Sequence, residues 1–352
     1  MSEDRGTETL REDPAEVAPN MNEDRTLRQN RFSVLISVLG IYFLAGILMI
    51  VGVMVSERFL SAANMLSVVG GVTILGLVAV GAAFVTYSGH FADLSIPTTM
   101  AFSGVMAVEA LQFGIVAAII TGLLVGLVIG LINGFVIGKF RANPIVWTLA
   151  MAFVIRGLMR WIWSNRQIYP EVEGAATGAG QHFVNLYRYH LLGVIPMTVV
   201  VLAAFAIVLH FVMKQSSFGR QLQITGASFE AARLSGINVS RNVGLAFLIC
   251  AMTAAVAGIF LTSLSRVGAY YMGEGYDFAA VTAVVIGGVT LAGGRGSIVG
   301  VIGGVLVIGL MRNVMTLMGI DTFAQTIVTG AVFILAVGIQ SNSLRRLGRD
   351  DA

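Results

Sequence analysis

Two sets of residues in this chain have types and spacings that could do chemistry. The first is polar: Asp93, Glu109, Asn133, Arg156, Asp277, Asn313 and Gln325 lie inside, or at the edge of, long apolar runs. Hydrocarbon penalises such groups, so they mark a solute or proton path, or they hydrogen-bond between helices. Asp93, Asn133, Arg156 and Gln325 are taken as the path or gate residues. Asp277, at the start of an apolar run, reads equally well as a helix N-cap.

The second set is the stretch QITGASFEAARLSGINVSR, Gln223 to Arg241. Ser228 is placed to accept a hydrogen bond from the orphan amides that open a helix, and Glu230 suits its positive first turn. Gly236 supplies the left-handed stop, which predicts a helix of about two turns. Glu230 and Arg233 would each cost roughly 2–3 kcal/mol or more in hydrocarbon. The segment therefore belongs in water beside a membrane, built to touch something.

The elements that hold these residues follow from composition. The chain has 352 residues, 56% hydrophobic and 12% charged, with a mean hydropathy of +0.84, which indicates an all-α polytopic membrane protein. Forty-two glycines suit close helix packing in lipid. A formal charge of +3 without basic runs gives no reason to expect a nucleic-acid partner, and the single cysteine, Cys250, allows no intrachain disulfide. Residues 1–31 carry many acids and few large apolar side chains and read as a disordered cytoplasmic tail with no signal peptide before the first apolar run. Residues 341–352 form a second tail.

Between the tails, 32–340 reads as ten spans, at about 32–55, 62–86, 94–108, 115–138, 145–163, 191–213, 242–265, 276–292, 297–312 and 322–340. The third, eighth and ninth are short. With both termini in the cytoplasm, fifteen of the Lys and Arg residues fall inside, against seven outside or within spans. That agrees with the positive-inside bias. Trp147, Trp161 and Trp163 bracket the fifth span like two interfacial belts, and Arg156 between them should face other helices or a water-filled path; snorkelling past Arg160 is the alternative.

Glycines 122, 126, 130, 134 and 138 share one face of the fourth span, and Gly296, Gly300 and Gly304 repeat the device in the ninth. Each follows a short span, so spans 2–5 and 7–10 are expected to be two structural repeats around a central path. There is no G-x-x-x-x-G-K-[ST] run, no H-E-x-x-H and no nucleophile elbow. The glycine run GGVTLAGGRGS, Gly287 to Ser297, reads as a tight turn. No catalytic residue, metal ligand or cofactor is expected.

With these residues in view, the chain resembles the permease subunits of bacterial ABC importers for sugars of the ribose, galactose and xylose type, over about 62–340. The resemblance rests on AARLSGINVS (Ala231–Ser240), GYDFAAVTAVVIGGVTLAGGRGSIVG (Gly275–Gly300), GLINGFVIGKF (Gly130–Phe140) and NPIVWTLAMAFVIRGL (Asn143–Leu158), with DLSIP (Asp93–Pro97) a looser match. It implies an inner-membrane permease, a homodimer or heterodimer, driven by cytoplasmic ATP-binding subunits and fed by a periplasmic sugar-binding protein. It also implies that Ser228, Glu230, Ala231, Ala232, Arg233 and Gly236 form the coupling helix gripped by the ATPase. In YSGHFADLSIPTT, His90 and Phe91 are additions to the family pattern, and Pro97 replaces a usual glycine, which should break the start of its helix. Tyr169, Tyr187 and Tyr189 are candidates for touching a binding protein. The rival classes are an ion-gradient carrier titrating Asp93 or Asp277, and a membrane scaffold.

Overall fold

The computed structural model describes residues 21–350, with side chains described within 38–340. It is helical almost throughout. In chain order the elements are α1 (Met21–Val55), α2 (Ala62–Tyr87), α3 (Ile96–Glu109), a 3-10 turn (Ala110–Phe113), α4 (Ile115–Phe140), α5 (Pro144–Trp163), α6 (Pro170–Glu173) and α7 (Ala179–Arg188). A two-residue hairpin, β1 (His190–Leu191) and β2 (Ile195–Pro196), leads into α8 (Met197–Gln215). Then come α9 (Ser217–Ala227), α10 (Phe229–Leu234), α11 (Val239–Ser265), α12 (Tyr276–Ile286), α13 (Ile298–Leu317) and α14 (Thr322–Asp350).

Eight of these helices are long and apolar enough to cross a membrane: α1, α2, α4, α5, α8, α11, α13 and α14. The two remaining expected spans are short helices, α3 with 14 residues and α12 with 11. The expected ninth span is not short. It is the full 20-residue α13, because its apolar run continues to Leu317. Residues 21–31 of the expected tail belong to α1, and residues 1–20 lie outside the described residues. The stretch 164–190, read as a loop, holds α6 and α7. Pro97 does not break α3: it sits in the first turn, where its missing amide hydrogen would have no partner anyway.

The bundle is built around α2 and α11. From Val72 to Tyr87 every residue of α2 is buried, and α11 is buried along most of its length. Both helices are apolar all round, as a helix enclosed by other helices should be. α1, α5, α8 and α14 lie at the periphery and turn apolar side chains outward, among them Phe43, Phe153, Phe211 and Ile334. On a membrane protein that outward face is the lipid side, so its exposure is expected.

The glycine face of α4 seats this core. Side chains at Gly126, Gly130, Gly134 and Gly138 would each run into α11, the last two against the backbone carbonyls of Gly244 and Ser240 at 2.5 and 2.4 Å. α13 uses Gly300 and Gly304 in the same way, against the carbonyls of Gly287 and Ala283 near α12. Gly296 does not share that face; it precedes the helix and meets Val289. Glycine permits backbones to approach to distances that any Cβ would forbid, and the gain is dispersion along the whole seam.

Gly134→Ala should therefore lower the apparent melting temperature of the purified chain, since overpacking of this kind costs about 1–3 kcal/mol. Gly157→Ala, where a Cβ meets nothing within 4 Å, should leave it unchanged. Thermal denaturation in detergent reads both.

Candidate functional site

The capped segment forms as its residues dictate, with one difference. Its helix, α10, has six residues, shorter than the two turns expected, because Gln223–Ala227 close the preceding α9. Ser228 serves both helices. Its amide donates to the Ile224 carbonyl (3.0 Å) and its hydroxyl accepts from the Ala231 amide (3.2 Å). Glu230 lies in the first turn and Gly236 adopts φ +73°, the left-handed stop. Ala232 is fully buried and anchors the helix, whereas Glu230, Ala231, Arg233 and Gly236 stand exposed, beside Phe229 and a strongly exposed Leu234.

What α10 is fastened to could not be read from sequence. Two loops and the last turn of α9 meet at a knot of glycines beside it. A Cβ at Gly226 would lie 1.9 Å from the Tyr87 carbonyl, and one at Gly293 would lie 2.7 Å from Gly89 Cα and 2.8 Å from the Gly226 carbonyl. The Gly294 amide donates to the Tyr87 carbonyl at 3.1 Å. Gly89, Gly293 and Gly294 all take positive φ, between +74° and +86°, which glycine adopts without strain. The run Gly287–Ser297 is thus more than a turn: it is one strand of a three-way backbone junction.

His90 adds a ring contact to this junction. Its imidazole packs edge-on to Phe229 of α10 (5.5 Å) and to Phe247 of α11 (5.8 Å). The Ser88 hydroxyl donates to the Val85 carbonyl, so it accepts from His90 Nδ1–H at 2.8 Å. Burial pushes the imidazole pKa down to about 4, and the ring is neutral at physiological pH.

The four polar residues taken as path residues fall into two groups. Asp93 and Asn133 are fully buried and share Ser95. Ser95 donates to Asp93 Oδ1 through both its amide (2.8 Å) and its hydroxyl (2.5 Å), and Asn133 Nδ2 donates to Ser95 Oγ (2.9 Å). Asn133 Oδ1 accepts from Trp147 Nε1 (3.0 Å), and Thr148 accepts the Leu94 amide (2.9 Å). This network joins the start of α3 to α4 and α5. It also means that Trp147 is a half-buried donor; among the tryptophans only Trp161 is strongly exposed in the manner of a belt residue, and Trp163 donates to Glu109.

Arg156 and Gln325 belong to the second group, toward the opposite end from α10. Arg156 pairs with Glu274, just before α12, at 3.4 Å. Glu274 and Gln325 both line a cavity of about 350 Å³ between α12, α13 and α14, together with Tyr276, Thr282, Arg312 and Phe333. Gln325 Nε2 donates to Thr316 Oγ1 and to the Ile320 carbonyl, both at 3.0 Å. Asp277 is not a cap; the α12 N-cap is Gly275, and Asp277 sits in the first turn. Asn313 exchanges hydrogen bonds with Asn64 (2.8 and 3.1 Å) and ties α13 to α2. Sequence reasoning missed Glu274 and Arg312 as cavity residues. Arg312 carried the available signal, a charge at the very end of the expected ninth span, which the structure places five residues inside α13.

The sequence that builds these helices matches a known family. The family described as "Branched-chain amino acid transport system / permease component" covers residues 64–337. The chain belongs to it. It is a multi-pass membrane protein of the permease class. Among its relatives, the ribose import permease protein RbsC of Bacillus subtilis (strain 168) is 36% identical over 296 residues, 83% of this chain and 88% of that protein. The L-arabinose ABC transporter permease protein AraH of Azospirillum brasilense is 32% identical, covering 79% and 80%. The xylose transport system permease protein XylH of Haemophilus influenzae is 28% identical, covering 78% and 76%. No solved structure matches the chain.

Asn133→Ala would leave the Trp147 indole and the Ser95 hydroxyl each short of a buried partner, a loss of about 1–3 kcal/mol. Thermal unfolding in detergent should shift down accordingly. Asn133→Asp, which keeps the acceptor for Trp147 but loses the donor to Ser95 and buries a second carboxylate beside Asp93, should shift it down at least as far.

Proposed function

We propose that this chain is the permease subunit of an ATP-driven importer for a sugar or related polyol. Its ATP-binding subunits and solute-binding protein are separate chains, and the membrane-spanning unit is a dimer, most simply of two identical copies. The observation that carries this reading is α10: a short, capped helix with an exposed charged face, backed by a buried anchor at Ala232. A gradient-driven carrier has no use for such a handle. A rigid helix that a partner ATPase can grip is what an ATP-driven importer requires, and the relatives named for ribose, arabinose and xylose support the solute class.

In this reading ten helices traverse the membrane, α3 and α12 being half-length, and both termini face the cytoplasm with α10. The spans 2–5 and 7–10 act as two repeats. The ATP-binding subunits close on Ser228–Gly236, with Glu230 and Arg233 making polar contacts and Ala231 leaving room for a close fit. Because Gly226, Gly89 and Gly293 touch backbone to backbone, movement of α10 passes to the loops that lead into α3 and out of α12. The segments that lead into those two short helices carry Asp93 at one end of the path and Glu274 at the other. Asp93 and Asn133 hold the α3 side of the path through Ser95, while Arg156, bound to Glu274, and Gln325 form its gate at the far end. The exposed Tyr169 and Tyr189 are candidates for meeting the solute-binding protein.

Two results test the reading. The tagged chain purified in mild detergent should bring down a P-loop ATPase in near-equal amount. Glu230→Ala with Arg233→Ala should lose at least tenfold of that recovery and of ATP-driven uptake while expression stays level. A chain that purifies alone and moves solute in vesicles without ATP would overturn it.

A further inference from the structure

The cavity between α12, α13 and α14 contains an arginine that the protein itself does not neutralise. Arg312 lies on α13, five residues from its end, and lines the cavity. Among the described residues no carboxylate stands within 4.0 Å of its guanidinium, and its side chain donates no hydrogen bond to protein. The one carboxylate that shares the cavity, Glu274, is engaged by Arg156 at 3.4 Å. Asp277 is not among the lining residues. The N-terminus of α12 opens here too, with Gly275 as its cap residue and no side-chain cap. Its first turn adds no net positive charge: the Tyr276 amide donates to the Gly273 carbonyl, and Asp277 sits beside the remaining amides, so Arg312 alone supplies the charge.

A guanidinium inside a membrane span is expensive unless something accepts its hydrogen bonds. Snorkelling into lipid does not describe Arg312, which is half-buried and faces a lined cavity. The remaining lining is that of a carbohydrate site. Phe278, Phe333 and Tyr276 offer faces for the apolar side of a sugar ring, and Thr326, Thr329 and Gln325 offer hydroxyl and amide partners. The volume, about 350 Å³, is within the range of small-molecule sites, about 300–1,000 Å³. Polar capacity, aromatic faces and one uncompensated positive charge together specify a solute.

We infer that this cavity is a solute-binding station for a monosaccharide carrying a carboxylate, with Arg312 as the group that holds the acid. This rests on the importer reading and narrows its solute class. A planar guanidinium grips a carboxylate through two parallel hydrogen bonds, which a neutral sugar cannot reproduce.

The test uses the purified full-length chain and direct binding, so that selection by the solute-binding protein does not intervene. D-galacturonate and D-galactose, at equal concentration, are compared by the shift in melting temperature. Galacturonate should stabilise the parent chain more than galactose does, and Arg312→Gln should weaken its apparent affinity at least about tenfold, the cost of losing a charge-assisted pair. Arg312→Lys, monodisperse and folded like the parent, should retain part of the binding. Equal response to both sugars, or a galacturonate shift unchanged in Arg312→Gln, overturns the inference. So does a change of oligomeric state in Arg312→Gln with no galacturonate response in the parent, which would assign the arginine to a contact between copies. ATP-driven uptake of a neutral sugar by parent and Arg312→Gln alike would overturn this inference while leaving the importer reading standing.

Discussion

The close approach of Gly226 to Tyr87 and Gly293 is the constraint on which the rest of the molecule depends. Without it α10 would be a short helix on a flexible tether, and a pull on it would stretch a loop instead of moving a bundle. With it, backbone atoms of the last turn of α9, the end of α2 and the Gly287–Ser297 run are in van der Waals contact, held by the Gly294 amide on the Tyr87 carbonyl. Contacts between backbones are stiffer than contacts between side chains, because there is no rotamer to absorb the displacement. The His90 ring, wedged between Phe229 and Phe247, closes the remaining gap.

This junction explains why two of the apolar helices are short. α3 and α12 both leave the knot and stop partway, and their far ends meet polar groups where a full span would meet lipid. Irregular backbone at membrane depth persists only where protein or a water-filled cavity surrounds it. The Trp163 indole donating to Glu109 satisfies one such end, and the Arg156–Glu274 pair stands at the other. The long helices α4 and α13, seated by glycine on α11 and α12, give these short pieces a fixed frame.

Much of this was legible in the residues themselves. Ser228 and Gly236 announced the ends of α10 because capping is local chemistry, decided within four residues. The four-residue glycine spacing of α4 announced a seam, because periodicity fixes a face whatever the partner is. The rest depends on contacts far apart in sequence. Nothing local distinguishes Gly226 or Gly293 from ordinary turn glycines, since their role is defined by Tyr87 and Gly89, more than a hundred residues away. Trp147 looked like an interfacial residue for the same reason: its partner, Asn133, is on another helix. Residue type marked Arg156 as costly, but only the fold supplied Glu274.

The measurement that bears most directly on the account is a reversible lock on the junction. A Cβ at Gly294 would lie 3.0 Å from that of Ala227, closer than the about 3.5–4.5 Å of a disulfide, and Gly294 holds φ +74°, so the loops must give slightly and the reduced double variant's own uptake is the reference. A chain carrying Ala227→Cys and Gly294→Cys, active when reduced, should keep its ATP-driven uptake after oxidation, because the two loops already move as one body. Loss of uptake on oxidation, regained on reduction, would show that α10 slides over the glycine run, and would contradict the account.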